Sequence, residues 1–290
     1  MNESADPDRA RAWHWRVAAE AANAELHLRY EPGNWGDVLK GTWAVRVARA
    51  LPAPAGAVRY LDPYAGAPTY PLVPASRARL ERLAEIPEQP FAGTQSGFAG
   101  RDRLGSTAAL LLEVWHARGL RVDTSVFDAE AVHRQAWSGV ERVNVLNVPS
   151  GEAALELERD AASPADLILV DPYDCFDHWG AWLPALKRAA RRSTVLVYLY
   201  NKAPRGTGYS DQYRRLRGAL ERWSADGPLL LGRLAADAVE PRAYHEVLLA
   251  GPWARDATLA GALRSDSVAL ARLLGHEGAF EALGITNYNH

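Results

Sequence analysis

The chain is poor in cysteine: Cys175 is the only one in 290 residues. No disulfide can close within it, and a reducing compartment, the cytoplasm, is the expected setting. A lone thiol could act as a nucleophile, but nothing near Cys175 in sequence would activate it, so a buried, inert side chain is expected. There is no G-x-G-x-x-G turn, which removes the phosphate cradle that a nicotinamide dehydrogenase needs. There is no G-x-S-x-G elbow either, so Ser106, Ser150, Asp171 and the eight histidines are not read as a hydrolase triad. Those histidines show neither H-x-x-x-H nor His/Cys spacing, and no metal site is expected. No stretch approaches the roughly 18 apolar residues of a membrane helix. Residues 1–11 are polar, without the apolar centre of a signal peptide. Neither export nor membrane spanning is expected.

Charge of one sign is also lacking, with a net charge of −2 and a pI near 6.5. A strongly basic chain, the usual footprint of nucleic-acid binding, is excluded. Local basic runs exist at Lys187, Arg188, Arg191 and Arg192, and at Lys202, Arg205, Arg214, Arg215 and Arg217. They are expected to be solvated helix faces. A composition of 48% hydrophobic and 23% charged residues describes a soluble globular protein, and the length leaves room for an insertion or appended helices.

What is present alternates. Strand-like runs at 58–62, 120–127, 143–148, 167–171 and 195–200 are interleaved with helical stretches at 105–118, 128–138, 151–160, 179–192 and 210–224. That predicts βαβ units, a parallel sheet and right-handed crossovers. Runs at 229–235 and 245–250 predict a closing antiparallel hairpin. Helices are predicted over 8–28 and 37–50 ahead of the first strand, and over 256–274 near the end. The whole chain is expected to form one domain, with residues 1–52 supplying N-terminal helices and a motif loop. Residues 68–104, proline-rich around one helical run at 75–86, read as a small insertion.

Three segments carry chemistry. Asp171-Pro172-Tyr173 follows a short apolar strand, where a carboxylate and a ring can offer an acceptor and a stacking face to a planar amine. An ordinary proline turn is the alternative on these residues alone. Asp62-Pro63-Tyr64-Ala65-Gly66-Ala67 follows the first strand, where small residues let the backbone approach a nucleoside, or simply make a turn. The loop at 30–40 enters a helix, where Asp37 can cap free N–H groups or the loop can close over a ligand.

Taken in order, Pro32-Gly33-Asn34-Trp35-Gly36-Asp37-Val38-Leu39-Lys40, Leu61-Asp62-Pro63-Tyr64-Ala65-Gly66-Ala67, Gly105-Ser106-Thr107, Asp171-Pro172-Tyr173 and Gly251-Pro252-Trp253 resemble motifs of the RlmJ-type ribosomal-RNA adenine-N6 methyltransferases. The resemblance implies a Rossmann-like class I methyltransferase fold, mainly parallel and seven-stranded with a terminal antiparallel hairpin. It also implies S-adenosylmethionine as cofactor and a small inserted subdomain that helps bind RNA. By the same resemblance Asp171 would orient the target amine, Pro172 would shape the turn and Tyr173 would stack on the base. Lys40, Asp62, Gly66, Ser106 and Gly151 would line the cofactor side.

The chain departs from the family pattern at several points. The D-P-P-Y turn is one proline short. Trp35 and Tyr64 stand where the family has histidine, Thr124 where it has the ribose-holding acid, and Ser150 where it has an aspartate. Methyl transfer to an amino nitrogen, with RNA adenine as first substrate, is therefore set beside two alternatives. One is a non-catalytic relative that keeps the sheet as a binding or scaffolding surface; the other is an enzyme repurposed for a small molecule or peptide.

Overall fold

The structure is a computed structural model describing residues 32–52, 56–159, 161–172, 175–202, 208–235, 243–275 and 279–283. The predicted helix over 8–28 and the ring of Tyr173 lie outside the described residues, as does the side chain of Cys175.

Helix α1 (Trp35–Ala50) opens the described chain, and its start is fixed by Asn34, whose side chain accepts from Gly36 N at 2.8 Å and Asp37 N at 3.2 Å. The cap is thus Asn34 and not Asp37. Asp37 instead reaches back to Gly33 N at 2.8 Å, where a φ of 76° suits a glycine. Strand β1 (Ala57–Asp62) follows. Next come a two-stranded ribbon, β2 (Thr69–Pro71) with β3 (Arg103–Gly105), and between its strands the helices α2 (Pro74–Leu83) and α3 (Pro90–Ala99). Glycines and prolines concealed α3 in the sequence. It is held by the Gln89 cap and by burial of Phe91, Gln95 and Phe98, which outweigh poor helix propensity.

Then α4 (Thr107–Ala117), β4 (Arg121–Val126), α5 (Ala131–Ser138), β5 (Val143–Val145), α6 (Gly151–Arg159), β6 (Leu167–Val170), α7 (Cys175–Ala189), β7 (Thr194–Lys202) and α8 (Gly208–Ser224) alternate. Helix α5 starts three residues later than expected because the Asp128 side chain accepts from Glu130 N at 2.8 Å, turning the chain before the helix begins. The chain closes with β8 (Leu229–Ala235), β9 (Ala243–Ala250), α9 (Ala257–Leu273) and β10 (Ala279–Leu283).

The main sheet has the order β5-β4-β1-β6-β7-β9-β8-β10. Pairing is parallel from β5 through β7 and antiparallel for β7–β9, β9–β8 and β8–β10. Among the described residues it has eight strands and not seven. The hairpin is real, but its second strand, β9, lies against β7 and pushes β8 outward, and β10 adds a further strand from a segment that reads as a polar end. Phe280 secures β10 by packing 6.1 Å from the ring of Trp43, and Glu281 pairs with Arg217 at 2.6 Å.

Two cores cover the two faces. One is built by α1, α4 and α9 around Trp43 and Trp115, the other by α7 and α8 around Trp182, Leu186, Leu220 and Trp223. Strand β6, Leu-Ile-Leu-Val, is buried at every position, the pattern of a strand covered on both sides. All five parallel strands therefore end at one carboxyl edge, where open α/β sheets place their ligands.

Candidate active site at the carboxyl edge of the sheet

Asp171 leaves β6 directly after Val170, and Pro172 behind it is buried. The residue that meets Asp171 comes from the other end of the chain. Lys40, one turn into α1, forms an ion pair with Asp171 and a second with Asp37 at 3.0 Å. Its side chain is only 8% exposed, against 25% for Asp171 and 23% for Asp37. Burial alone would depress the Lys40 ammonium, but the two carboxylates outweigh it and push its pKa up, so Lys40 stays charged. Burial pushes the Asp171 carboxyl upward, Lys40 opposes the rise, and Asp37 adds to it.

Behind Lys40 stands a wall of rings. The ammonium lies 5.1 Å from the Tyr198 ring centre. Tyr198 Oη and His245 Nδ1 share a hydrogen bond of 2.7 Å. His245 stacks on Tyr200 with centroids 5.1 Å apart and planes 21° from parallel. Tyr198 and Tyr200 share a face of β7 because strand side chains repeat every two residues, and register places His245 opposite Tyr200. The α1 backbone fits against this wall only because residue 36 is glycine: a Cβ there would sit 2.6 Å from His245 Nδ1. Burial lowers the His245 pKa to about 4, with Asp37 and Lys40 pulling in opposite directions, so the imidazole is neutral near pH 7.

The other half of the edge is made of loops closed on one another. Asp62 ends β1 and is fully buried, accepting from Tyr60 Oη at 2.9 Å and Tyr64 N at 3.0 Å. Burial raises its pKa to about 7; the two hydrogen bonds oppose that rise, Asp171 adds to it and Lys40 counters. The following turn is fastened to the end of β4 by Phe127 N to Asp62 O at 2.9 Å and Ala65 N to Phe127 O at 3.0 Å. Gly66, at φ 58°, donates its N–H to Asp128 at 2.9 Å and accepts from Trp137 Nε1 at 2.8 Å.

The Tyr64 ring lies over Gly151, where a Cβ would come within 2.6 Å of Cε1, and its hydroxyl bonds Glu152 at 3.1 Å. Burial and then the Glu152 charge push the Tyr64 hydroxyl pKa up, so it remains a donor. Ser106 caps α4, accepting from Ala109 N at 3.2 Å, and Ser150 sits near Ala153 N at 3.2 Å at the start of α6.

The structure thus brings Lys40 to Asp171 and ranges Asp62, Gly66 and Gly151 along the same edge, while Ser106 is spent on a helix cap. Thr124 is no substitute for an acid at the edge: it lies within β4, buried, its hydroxyl unbonded among the described residues. The acid past the end of β4 is Asp128, which holds Gly66 N, Glu130 N and, at 3.0 Å, His133 Nδ1. Asp128, Tyr198 and His245 were not singled out by the sequence. A search just beyond each strand end would have found Asp128.

Asp62, Asp128, Asp171 and Glu152 suit a cationic, hydroxylated ligand such as a nucleoside sulfonium, while Tyr64 narrows the approach over Gly151. Within the basic runs, Arg188 pairs with Glu156 and Arg217 with Glu281. No group of three or more His, Cys, Asp or Glu among the described residues is placed to hold a metal, and no described helix is long and apolar enough to cross a membrane.

No protein-family model matches the chain, and no curated protein matches it by sequence. Solved structures do. The chain is similar to protein LPL1258 of Legionella pneumophila, a DUF519 family protein, at 12% identity, covering 87% of this chain and 97% of that one with a TM-score of 0.64. It is also similar to a Listeria monocytogenes protein provisionally assigned as a class I S-adenosylmethionine-dependent methyltransferase, at 11% identity, covering 94% and 82% with a TM-score of 0.45. M. jannaschii TYW2, solved in complex with AdoMet, aligns at 10% identity over 77% of each chain with a TM-score of 0.37. At these identities the likeness concerns the fold. Together with the strand order it gives a Rossmann-like α/β fold.

Proposed function

We propose that the chain is an S-adenosylmethionine-dependent methyltransferase acting on an amino nitrogen, within a single domain whose segment 68–104 is an insertion. The observation that carries the reading is the convergence of Asp171, Lys40 and Asp62 at the carboxyl edge of a Rossmann-like sheet. In this reading the Asp62 and Asp128 carboxylates hold the cofactor, which supplies an electrophilic methyl group. Asp171 accepts a hydrogen bond from the target amine and fixes its lone pair, and positioning supplies most of the rate.

The charge of Lys40 beside Asp171 disfavours a protonated alkyl ammonium and favours a neutral amine on an aromatic ring. Adenine N6 in ribosomal RNA meets that requirement. It also agrees with the order of motifs shared with the RlmJ type, which is the finer assignment proposed. A heteroaromatic small molecule meets the requirement equally, and salt dependence separates the two: affinity for RNA falls steeply with salt, while affinity for an uncharged small molecule does not.

A second reading rests on a specific observation. Tyr64 covers Gly151, and Gly66 has both backbone groups engaged, as in a protein that keeps the sheet only for binding. Calorimetry with S-adenosylmethionine and S-adenosylhomocysteine decides between them. Heat of binding that weakens in Asp62→Ala supports the enzyme. Absence of both heat and thermal shift at millimolar cofactor removes it and leaves the scaffold.

A further inference from the structure

We infer that Tyr198, locked by His245, is a positioning residue whose ring face holds the Lys40 ammonium against Asp171. The inference rests on the methyltransferase reading for its catalytic consequence, though not for its geometry. Lys40 has two carboxylate partners, Asp37 on its own helix and Asp171 just past the end of β6. Of the two, the Asp171 charge acts on the ammonium more strongly than the Asp37 charge. The π face of Tyr198, 5.1 Å from Nζ, adds a third attraction and limits where the ammonium can settle between the two carboxylates.

A tyrosine ring on a strand can turn about its χ angles, so a face held at a fixed angle needs its far end tied. The tie is the 2.7 Å hydrogen bond to His245 Nδ1. The imidazole is in turn kept in place by stacking on Tyr200 and by the close α1 backbone at Gly36. Because the imidazole is neutral, it adds no charge that would repel the ammonium on the other side of the ring. The chain of contacts therefore runs from the β7–β9 seam through two rings to the lysine, and from the lysine to the carboxylate that meets substrate.

The full-length protein is treated with a limiting amount of acetic anhydride, and acetylation of Lys40 is followed by mass spectrometry. Lys187 and Lys202, the only other lysines, serve as internal references. Wild type is expected to protect Lys40. Tyr198→Leu, which removes the face, raises its labelling about tenfold relative to the references, and Tyr198→Phe, which keeps the face but loses the hydroxyl that ties it to His245, gives an intermediate rise of about threefold. Equal labelling of Lys40 in wild type and Tyr198→Leu overturns the inference, as does a Tyr198→Phe protein labelled no more than wild type, since the tie to His245 would then have no effect. Should Tyr198→Leu fail to fold, His245→Leu, which leaves the hydroxyl no partner there, gives the same decision: increased labelling supports the tie and unchanged labelling overturns it. In methyl transfer, Tyr198→Leu is expected to lower kcat about tenfold with the cofactor KM unchanged. A wild-type protein without transfer activity but with the expected labelling pattern defeats the enzymatic reading alone and leaves the positioning intact.

Discussion

The two halves of the carboxyl edge are built by different means. At β1 and β4 the backbone takes part in the fastening of the turns, by Phe127 N to Asp62 O and Ala65 N to Phe127 O, and by Tyr64 N and Gly66 N donating to the Asp62 and Asp128 side chains. At β6, β7 and β9 the contacts are between side chains, with Lys40 shared by two aspartates and backed by Tyr198 and His245. Backbone bonds tolerate substitution of most side chains around them, whereas a charged constellation depends on each member. The first half can thus change side chains around its turns and keep its shape. The second half has no such latitude.

The largest expected effect tests that difference directly. Asp171→Ala should lower methyl transfer at least about a hundredfold while cofactor affinity, measured by calorimetry, moves by less than about threefold. A comparable loss of cofactor binding would show that the halves are not separate. Next is Gly36→Ala, whose added Cβ would collide with Tyr198 and His245. It should cost on the order of 1–3 kcal/mol in urea unfolding and reduce activity as well. An equally overfilled site in the other half, Gly151→Ala against the Tyr64 ring, should cost a similar amount and act on cofactor affinity.

His245 gives a pH test of smaller size. Its folded pKa of about 4 lies below the unfolded value, so the unfolded chain binds the extra proton between about pH 4 and 6.5 and stability rises with pH across that window. Asp62 works oppositely: its folded pKa of about 7 is raised, so stability falls between about pH 4 and 7 as the unfolded carboxyl ionises first. In wild type the two slopes offset each other. In His245→Asn only the falling branch is left, and the stability gap to wild type should widen by on the order of 2 kcal/mol from pH 4.5 to pH 7. The smallest effect is expected from Ser106→Ala, about 1 kcal/mol of stability for a lost helix cap, with no change in cofactor affinity if Ser106 only caps.

Much of the parallel sheet was legible because each strand is a short apolar run between helical stretches, and β6 could be read almost to the residue. The edge elements were less so. Strand β10 carries Glu281 and joins the sheet through pairing with β8, a contact with no local signature. Lys40 and Asp171 could be named separately from motifs, yet nothing in the sequence says that they touch, since that contact spans most of the chain. Lysine is scarce here, at three of 33 basic residues, but the burial of Lys40 is visible only in the fold. Tyr198 and His245 were hidden because a strand residue reveals its face only when the register with its neighbour is known. Asp128 was missed because the acid was sought inside the strand instead of just past its end.

The placement of β9 between β7 and β8 has a consequence for how the molecule comes into being. As the chain leaves the ribosome, β7 emerges with one edge open, and the next strand made, β8, is not the one that belongs there. The open edge has to wait for β9, and only its arrival brings His245 to Tyr198. Chains interrupted before that point would carry Asp171 and Lys40 but an exposed strand edge beside them, prone to pair with another copy.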